Sequence, residues 1–395
     1  MKIERLKRGF EEIIPEDEFE RRLQGEMRVK LGVDPTGTDL HLGHAVIFNK
    51  LRQFQDAGHT VVFLVGDFTA RIGDPSGRDS TRPPLSAEEV EANARTYKEQ
   101  VFEILDPEKT EVVYNSDWLE ELGVNGIIDL ASRYTVARLL ERDDFSNRYE
   151  QGVPIRLHEF LYPLLQGWDS VAVEADLEIG GTDQKFNLLV GRQLQKQEAQ
   201  QPQVVGTLPI LPGTDGSRKM SKSYNNHIPL ESSGAEMFGK LMSIPDELII
   251  DYLRLLTDLP VDEVKKLEKT LNSERSNPKE IKKKMAREIT RRYLGVEAVE
   301  RGEENFARTV EAGGVPDERE MEKIMVKEAR QPLWIVDLIE ESGAVDSRGE
   351  AKRLLKQGAV RLDGERLKGF DYDIEVDEPR VLQVGKHNFF RLVTG

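Results

Sequence analysis

Arg28 to Val33 has strand character, and Asp34-Pro35-Thr36-Gly37 breaks it at once with turn chemistry before a helical pattern begins near Leu40. Val61 to Val65 is apolar at every position, which is how a strand buried on both faces reads, and a parallel sheet buries both faces. The turn Gly73 to Gly77 follows it closely. Strand, turn and helix in this order restrict the first part of the chain to an α/β arrangement, whose ligands sit at the C-terminal ends of the strands.

The helix start carries His41-Leu42-Gly43-His44. Residues three apart near a helix N-terminus share a face, and the unsatisfied N–H groups there attract phosphate. Two imidazoles at that end can donate hydrogen bonds to a phosphoryl group, and Gly43 lets a flat ring lie close to the backbone. A histidine pair is also what a metal site uses. Zinc needs three or four protein ligands, however, and the chain has no cysteine, with its other histidines at His59, His158, His227 and His387 in no ligand-spaced cluster.

Far along the chain, Gly213 to Asn226 is rich in small and polar residues and reads as a mobile surface loop containing Lys219-Met220-Ser221-Lys222-Ser223. Two lysines three apart on a loop that can close would neutralise a leaving pyrophosphate as the transition state forms. A solvated basic turn would read the same way in isolation.

Tyr162, Gln166 and Asp169 recur at spacings that place them on one helix face. A phenol, an amide and a carboxylate on an otherwise apolar helix are costly to bury without partners, and a polar ligand would satisfy them. Asp74, just after the strand at Val61 to Val65, is placed to hold an ammonium group.

With these segments in view, the chain resembles the class I aminoacyl-tRNA synthetases, for which His-x-Gly-His and Lys-Met-Ser-Lys-Ser are the two signatures, and more narrowly their bacterial tyrosyl branch. The similarity runs from about Val29 to the C-terminus. Val33 to Thr36, Ile72 to Gly77, Tyr162 to Asp169 and Gly180-Gly181-Thr182-Asp183-Gln184 also carry it. The resemblance implies that Asp74, Tyr162 and Gln166 surround the α-amino group of tyrosine, that Asp169 accepts its phenolic hydroxyl, and that Gln184 approaches its carboxylate. It places Gly181 and Asp183 at the ribose, and Asp34, Thr36, His41, Gly43, His44, Met220 and Ser221 on the ATP side. Lys219 and Lys222, with Arg78 and Arg82, match the cations around the pyrophosphate. One departure stands out: where many tyrosyl enzymes carry a tyrosine that also touches the phenol, this chain has Lys30, as another bacterial branch does. Asp169 must then carry more of the discrimination.

The resemblance also implies a Rossmann-like parallel-sheet catalytic domain over 1–227, an all-helical anticodon-binding domain over 228–328 and a small α+β RNA-binding module over 332–395, in a homodimer. A length of 395 residues agrees with two or three domains. No apolar stretch approaches ~20 residues and the N-terminus lacks an apolar signal core, so neither a membrane span nor export is expected. Zero cysteines exclude disulfides, a thiol nucleophile and thiolate metal sites, and with the family this fits the cytoplasm.

A net charge of −16 looks unsuited to an RNA partner, but local distribution decides that affinity. Pro278 to Tyr293 reads as a helix capped by Asn277, carrying Lys279, Lys282, Lys283, Lys284, Arg287, Arg291 and Arg292; a solvated face and an RNA-facing one both fit it. Helices are expected from Ala235, Asp246 and Val261, and Val326 to Gln331 reads as a linker before an apolar helical run at Leu333 to Ile339. Ser347 to Gly358 reads as a capped helix with cations at 348, 352, 353 and 356, and Val360 to Leu367 as a hairpin around Asp363-Gly364.

These readings converge on activation of tyrosine by ATP, with magnesium, to an adenylate and its transfer to the tRNA for tyrosine. A tryptophanyl enzyme is disfavoured by the C-terminal module and the Gly-Gly-Thr-Asp-Gln segment. A small-molecule nucleotidylyltransferase would need neither RNA module. A non-catalytic RNA-binding protein on the same scaffold would not need the intact signatures.

Overall fold

The structure is a computed structural model that describes residues 2–35, 40–75, 86–273, 277–311, 321–326, 331–345, 347–385 and 388–394. Two compact units result, one of residues 1–231 with 243–285 and one of 232–242 with 286–395.

The first unit is built on a six-stranded sheet of β1 (Glu12–Ile14), β2 (Arg28–Val33), β3 (Thr60–Val65), β4 (Thr110–Tyr114), β5 (Leu177–Gly181) and β6 (Val204–Leu208). Their spatial order is β1-β6-β5-β2-β3-β4, parallel throughout except for β1, which closes the edge antiparallel to β6. The two strands expected from sequence are β2 and β3. Val61 to Val65 are all essentially inaccessible, as a doubly covered parallel strand requires. Helix α1 (Leu42–Asp56) buries Leu42, Ala45, Val46, Phe48, Leu51 and Phe54, a helical-period stripe. Helices α2 (Leu157–Ala172) and α3 (Lys185–Gln197) pack on each other.

The strand order reverses at β2: β3 and β4 continue one way, β5 and β6 the other. β2 and β5 share only two register pairs, Val29 with Leu177 and Lys30 with Glu178. Beyond these they part, which opens the sheet at its C-terminal edge where a doubly wound fold binds its ligand.

After the lysine-rich loop the pattern turns helical as expected, with Gly234–Ser243, Ile249–Leu256, Val261–Leu271 and α4 (Pro278–Leu294). Asn277 caps α4 by accepting a hydrogen bond from Lys279 N at 3.2 Å.

In the second unit, β7 (Glu322–Val326), β8 (Leu333–Trp334), α5 (Ile335–Glu341), α6 (Arg348–Lys356), β9 (Val360–Leu362), β10 (Glu365–Arg366), β11 (Asp373–Ile374), β12 (Arg380–Val384) and β13 (Asn388–Thr394) form the C-terminal fold. Ser347 Oγ caps α6 by accepting from Glu350 N. Asp363 and Gly364 both have positive φ, 50° and 85°, as the two-residue turn of the β9–β10 hairpin requires. Two details differ from the sequence reading. Leu333 and Trp334 start the helical run as a strand on β11. Val326 is no linker residue: β7 pairs parallel with β13, and Val326 joins the core formed by Ile335, Val336, Leu338 and Leu392. Residues 327–330 lie outside the described residues.

Candidate active site

His41 is the N-cap of α1 and His44 its third residue, so His41 stands just ahead of the first turn. The backbone N–H of His41 donates to His44 Nδ1 at 3.3 Å, and the two rings lie 3.9 Å apart. With Nδ1 accepting, the His44 proton resides on Nε2, leaving that N–H to donate to a phosphoryl oxygen. Burial lowers His44 to about 4, and burial together with His44 and His227 lowers His41 to about 2. Both imidazoles are therefore neutral at pH 7 and act as hydrogen-bond donors without carrying charge.

The tertiary structure brings the second signature to this turn. The segment after the loop pairs with the segment before α1: Leu42 N donates to Ile228 O and Leu230 N to Leu40 O, both at 3.0 Å. Met220 is buried, and a Cβ on Gly43 would stand 2.9 Å from His41 Nδ1 and 3.4 Å from Met220 Cβ, so only glycine fits between histidine and loop. The loop is tied down more than its composition suggests. The side chain of buried Asn226 donates to Asp215 Oδ2 at 3.0 Å and Lys219 O at 3.1 Å, and accepts from Ser221 N at 2.8 Å. Lys219 and Lys222 remain exposed. Asp183 lies within the field of Lys219, although burial leaves its carboxyl above the usual range.

A chain of buried and half-buried polar groups crosses the C-terminal ends of the strands. Asp34 Oδ1 accepts from Thr69 Oγ1 at 2.7 Å and Oδ2 from the Tyr162 hydroxyl at 2.9 Å. Gly66 permits this closeness, because a Cβ there would fall 2.2 Å from Asp34 Oδ1. Asn115 Nδ2 donates to Thr69 Oγ1 at 3.0 Å and Asp169 Oδ2 at 3.2 Å, while Trp118 Nε1 donates to Asp169 Oδ1 at 2.8 Å. Burial lifts Asp34 to about 7, with Asp74 and Asp169 adding to it against the Thr69 and Tyr162 hydrogen bonds. Burial likewise lifts Asp169 to about 7 against the opposing pull of Lys30. Burial and the neighbouring Asp34 hold Tyr162 as a neutral phenol.

Gln184 Nε2 donates to Asp74 Oδ2 at 2.8 Å, and Asn187 Nδ2 joins Gln166 Oε1 at 2.9 Å to Gln184 Oε1 at 3.1 Å. Arg142, 6% exposed, links Asn187 Oδ1 at 3.0 Å with Asp74 at 3.8 Å. A cavity of about 110 Å³ opens beside this network, with His44, Gln166, Glu178, Gly181 and Gln184 among its walls. Tyr162, Asp34, Asp74 and Asp169 do not line it; the Tyr162 hydroxyl donates to Asp34, Asp74 accepts from Gln184, and Asp169 accepts from Asn115. Thr36, Arg78 and Arg82 lie outside the described residues.

Asn115, Trp118, Thr69, Arg142 and Asn187 escaped the sequence reading. Asn115 was within reach of it, since it directly follows β4 at a strand's C-terminal end. The others hold the carboxylates and amides of this network from segments with no local signal of their own.

The basic helix α4 is largely committed to protein contacts. Lys282 is buried and bonds Ile244 O at 2.6 Å and Asp246 at 2.5 Å, Lys284 pairs with Glu263, Arg287 with Glu303 and Arg291 with Glu288. In the C-terminal fold, Lys352 stands 4.9 Å from the Trp334 ring centre and 5.7 Å from that of Phe370, with Lys356 at 5.9 Å from Phe370. Cations and aromatic rings thus share one face of the C-terminal fold, the pairing of side-chain types that suits phosphate and bases.

Comparison with known proteins agrees with this geometry. The family model for tRNA synthetases class I (W and Y) matches residues 22–311, and that for the S4 domain matches residues 333–372. The tyrosine--tRNA ligase of Thermotoga maritima is 53% identical over 392 residues, covering 99% of this chain and 96% of its own length. That of Oleidesulfovibrio alaskensis is 52% identical over 389 residues, covering 98% and 97%. The solved structure of tyrosyl-tRNA synthetase from Archaeoglobus fulgidus complexed with L-tyrosine shares the fold with a TM-score of 0.62 at 22% identity, covering 76% of this chain and 98% of that one.

Proposed function

The chain belongs to the class I tRNA synthetases of the tryptophan and tyrosine type, and from that premise we propose that it activates tyrosine with MgATP and transfers it to the 3′ end of the tRNA for tyrosine. The observation that carries this reading is the contact of Met220 with the His41 to His44 turn, which joins both signatures into one site. A tyrosine carboxylate oxygen attacks the α-phosphorus, an O–P bond forms, and the bond from that phosphorus to the β-phosphate oxygen breaks with its electrons leaving on pyrophosphate. His44 Nε2–H and the ammonium groups of Lys219 and Lys222, with Thr36, Arg78 and Arg82, stabilise the charge that builds there. A terminal hydroxyl of the tRNA then attacks the adenylate carbonyl and AMP departs. Magnesium bound to the triphosphate would supply further charge stabilisation at the same phosphate oxygens.

Asp34, Gly43, His41, Gly181, Asp183, Met220 and Ser221 take the nucleotide in this reading, and Asp74, Tyr162, Gln166, Asp169 and Gln184 take tyrosine. Pyrophosphate exchange into ATP with each of the twenty amino acids tests the proposal. Tyrosine alone should support it; exchange with tryptophan, or with none, would refute it.

The raised carboxyls set a pH dependence. Asp169, at about 7, gains a proton as pH falls through that value, and the free protein loses the anion that accepts tyrosine's hydroxyl, while Asp34, also at about 7, loses its charge on the nucleotide side. kcat/KM for tyrosine, which reports groups of the free enzyme, should therefore decline on the acid side with an apparent pKa near 7. A profile that stays level across that pH would count against Asp169 as the acceptor of the tyrosine hydroxyl.

We assign the domains as a catalytic region through about residue 227, a helical region, and an RNA-binding module that begins at β7, upstream of Pro332, because Val326 belongs to its core. Removing residues 321–395 should cripple tRNA charging and flatten the salt dependence of tRNA binding while adenylate formation persists, since phosphate contacts are lost and the catalytic sheet is untouched. Charging at the full rate by the truncated protein would reduce the module to a stabilising appendage. Exposed Val124, Ile128, Val136, Tyr149 and Leu157 supply apolar surface for the homodimer that we assign, and no described helix is long and apolar enough to cross a membrane. The assigned place of work is the cytoplasm.

A further inference from the structure

Arg142 stands just ahead of the helix Asp143–Glu150 and is buried, and its guanidinium reaches side chains on two distant segments. Nε and Nη2 donate to the two oxygens of Asp144 at 2.6 and 2.9 Å, a fork that fixes the plane of the group. Nη1 donates to Asn187 Oδ1 at 3.0 Å, and Nη2 lies 3.8 Å from Asp74 Oδ1. The other end of Asn187 continues the path. Its Nδ2 donates to Gln166 Oε1 at 2.9 Å and to Gln184 Oε1 at 3.1 Å, and Gln184 Nε2 donates to Asp74 Oδ2 at 2.8 Å. Arg142, Asn187, Gln184 and Asp74 thus close a ring.

A side-chain amide can face either way, and amides bonded only to one another leave both directions open. Arginine removes the choice, because a guanidinium donates and never accepts. It draws Asn187 Oδ1 toward itself and turns Nδ2 away. Both glutamines must then present their oxygens to Asn187, which leaves Gln184 Nε2 for Asp74. Asn187 is 1% exposed, so the opposite orientation would bury donors and acceptors unmet. Gln166 and Gln184 line the cavity, and Arg142 does not.

We propose that Arg142 is a positioning residue for the amino and carboxylate end of the amino-acid substrate: acting through Asn187, it fixes the direction of the Gln166 and Gln184 amides and touches no substrate atom. The inference rests on the tyrosine reading above and extends it. In the fixed direction Gln166 Oε1 keeps a second lone pair for the substrate ammonium, and Gln184 holds Asp74 while Arg142 balances its charge. Reversed, Gln166 would turn an N–H toward that ammonium and Gln184 an oxygen toward the Asp74 carboxylate. The ring serves atoms that tyrosine and phenylalanine share, so the choice between the two is left to Asp169.

The test is steady-state pyrophosphate exchange by the full chain with tyrosine and with phenylalanine, for the wild type, Arg142→Met, Asn187→Ala and the double variant. Each single variant should raise KM for tyrosine roughly tenfold, the worth of about one hydrogen bond. KM for phenylalanine should rise in step, and KM for ATP should hold within about twofold, since the nucleotide groups keep their partners. Residues that act in one network are not additive, so the double variant should lose little more than the worse single one. Asn187→Ala leaves the Arg142 to Asp144 fork in place and decides the matter should Arg142→Met fold poorly. A double loss equal to the product of the single losses, or a tyrosine KM unchanged in Asn187→Ala, overturns this inference alone. A wild type that does not respond to tyrosine overturns the functional reading and this inference with it.

Discussion

Replacing Asp169 by alanine should collapse the preference for tyrosine over phenylalanine in pyrophosphate exchange, with the rate on tyrosine falling far more than the rate on phenylalanine. Asp169 is 2% exposed and already accepts from Trp118 and Asn115, one bond to each oxygen. Each carboxylate oxygen has a second lone pair, so a phenolic O–H can still be received, and phenylalanine cannot supply it. Sites built to hydrogen-bond a substrate hydroxyl reject the analogue lacking it by about 10⁵ in tyrosyl enzymes, a magnitude adopted from that class and not calculated from this geometry. Lys30→Ala, measured beside it, should change the ratio less, because the Lys30 ammonium is engaged by Gln166, Ser170 and Glu178. A larger loss of discrimination at Lys30 than at Asp169 would show that the hydroxyl is read from the β2 side of the pocket.

The second large effect concerns the phosphate end. His44→Ala and Lys222→Ala should each lower the adenylation rate by one to three orders of magnitude, at about 1.4 kcal/mol per decade, with tyrosine affinity almost unchanged. The reasoning is geometric. His44 presents Nε2–H from the N-terminus of α1, and Lys222 is exposed on the loop whose Met220 lies beside Gly43 of the same turn. Single-turnover adenylation together with equilibrium tyrosine binding separates the two quantities. A large loss of tyrosine affinity with the adenylation rate intact would reassign both residues.

Much of this was legible before any coordinates. The run Val61 to Val65 read as a doubly buried strand, Asn277 and Ser347 announced their helices by capping chemistry, and Asp363-Gly364 announced its turn through the positive φ that both residues adopt. Each of these depends on residues near one another in the chain, and local sterics and hydrogen bonding suffice to settle them. The paired signatures were equally readable as chemistry, because a helix N-terminus and closely spaced cations suit phosphate wherever they occur.

What the sequence by itself determined, then, was the kind of element at each place and the kind of ligand its residues suit. Tertiary structure decided the partnerships. It joined His41 and His227 in one cluster, turned Lys282 of a seemingly solvated basic helix inward to Ile244 O, and placed β7 in a sheet with β13. It also set Lys30 opposite Glu178 and hung Asp169 from Asn115 and Trp118. The physical reason is common to all of them. Whether a polar side chain is solvated, paired or left with an unmet hydrogen bond is decided by what packs against it from distant parts of the chain, and no spacing along the sequence encodes that distance.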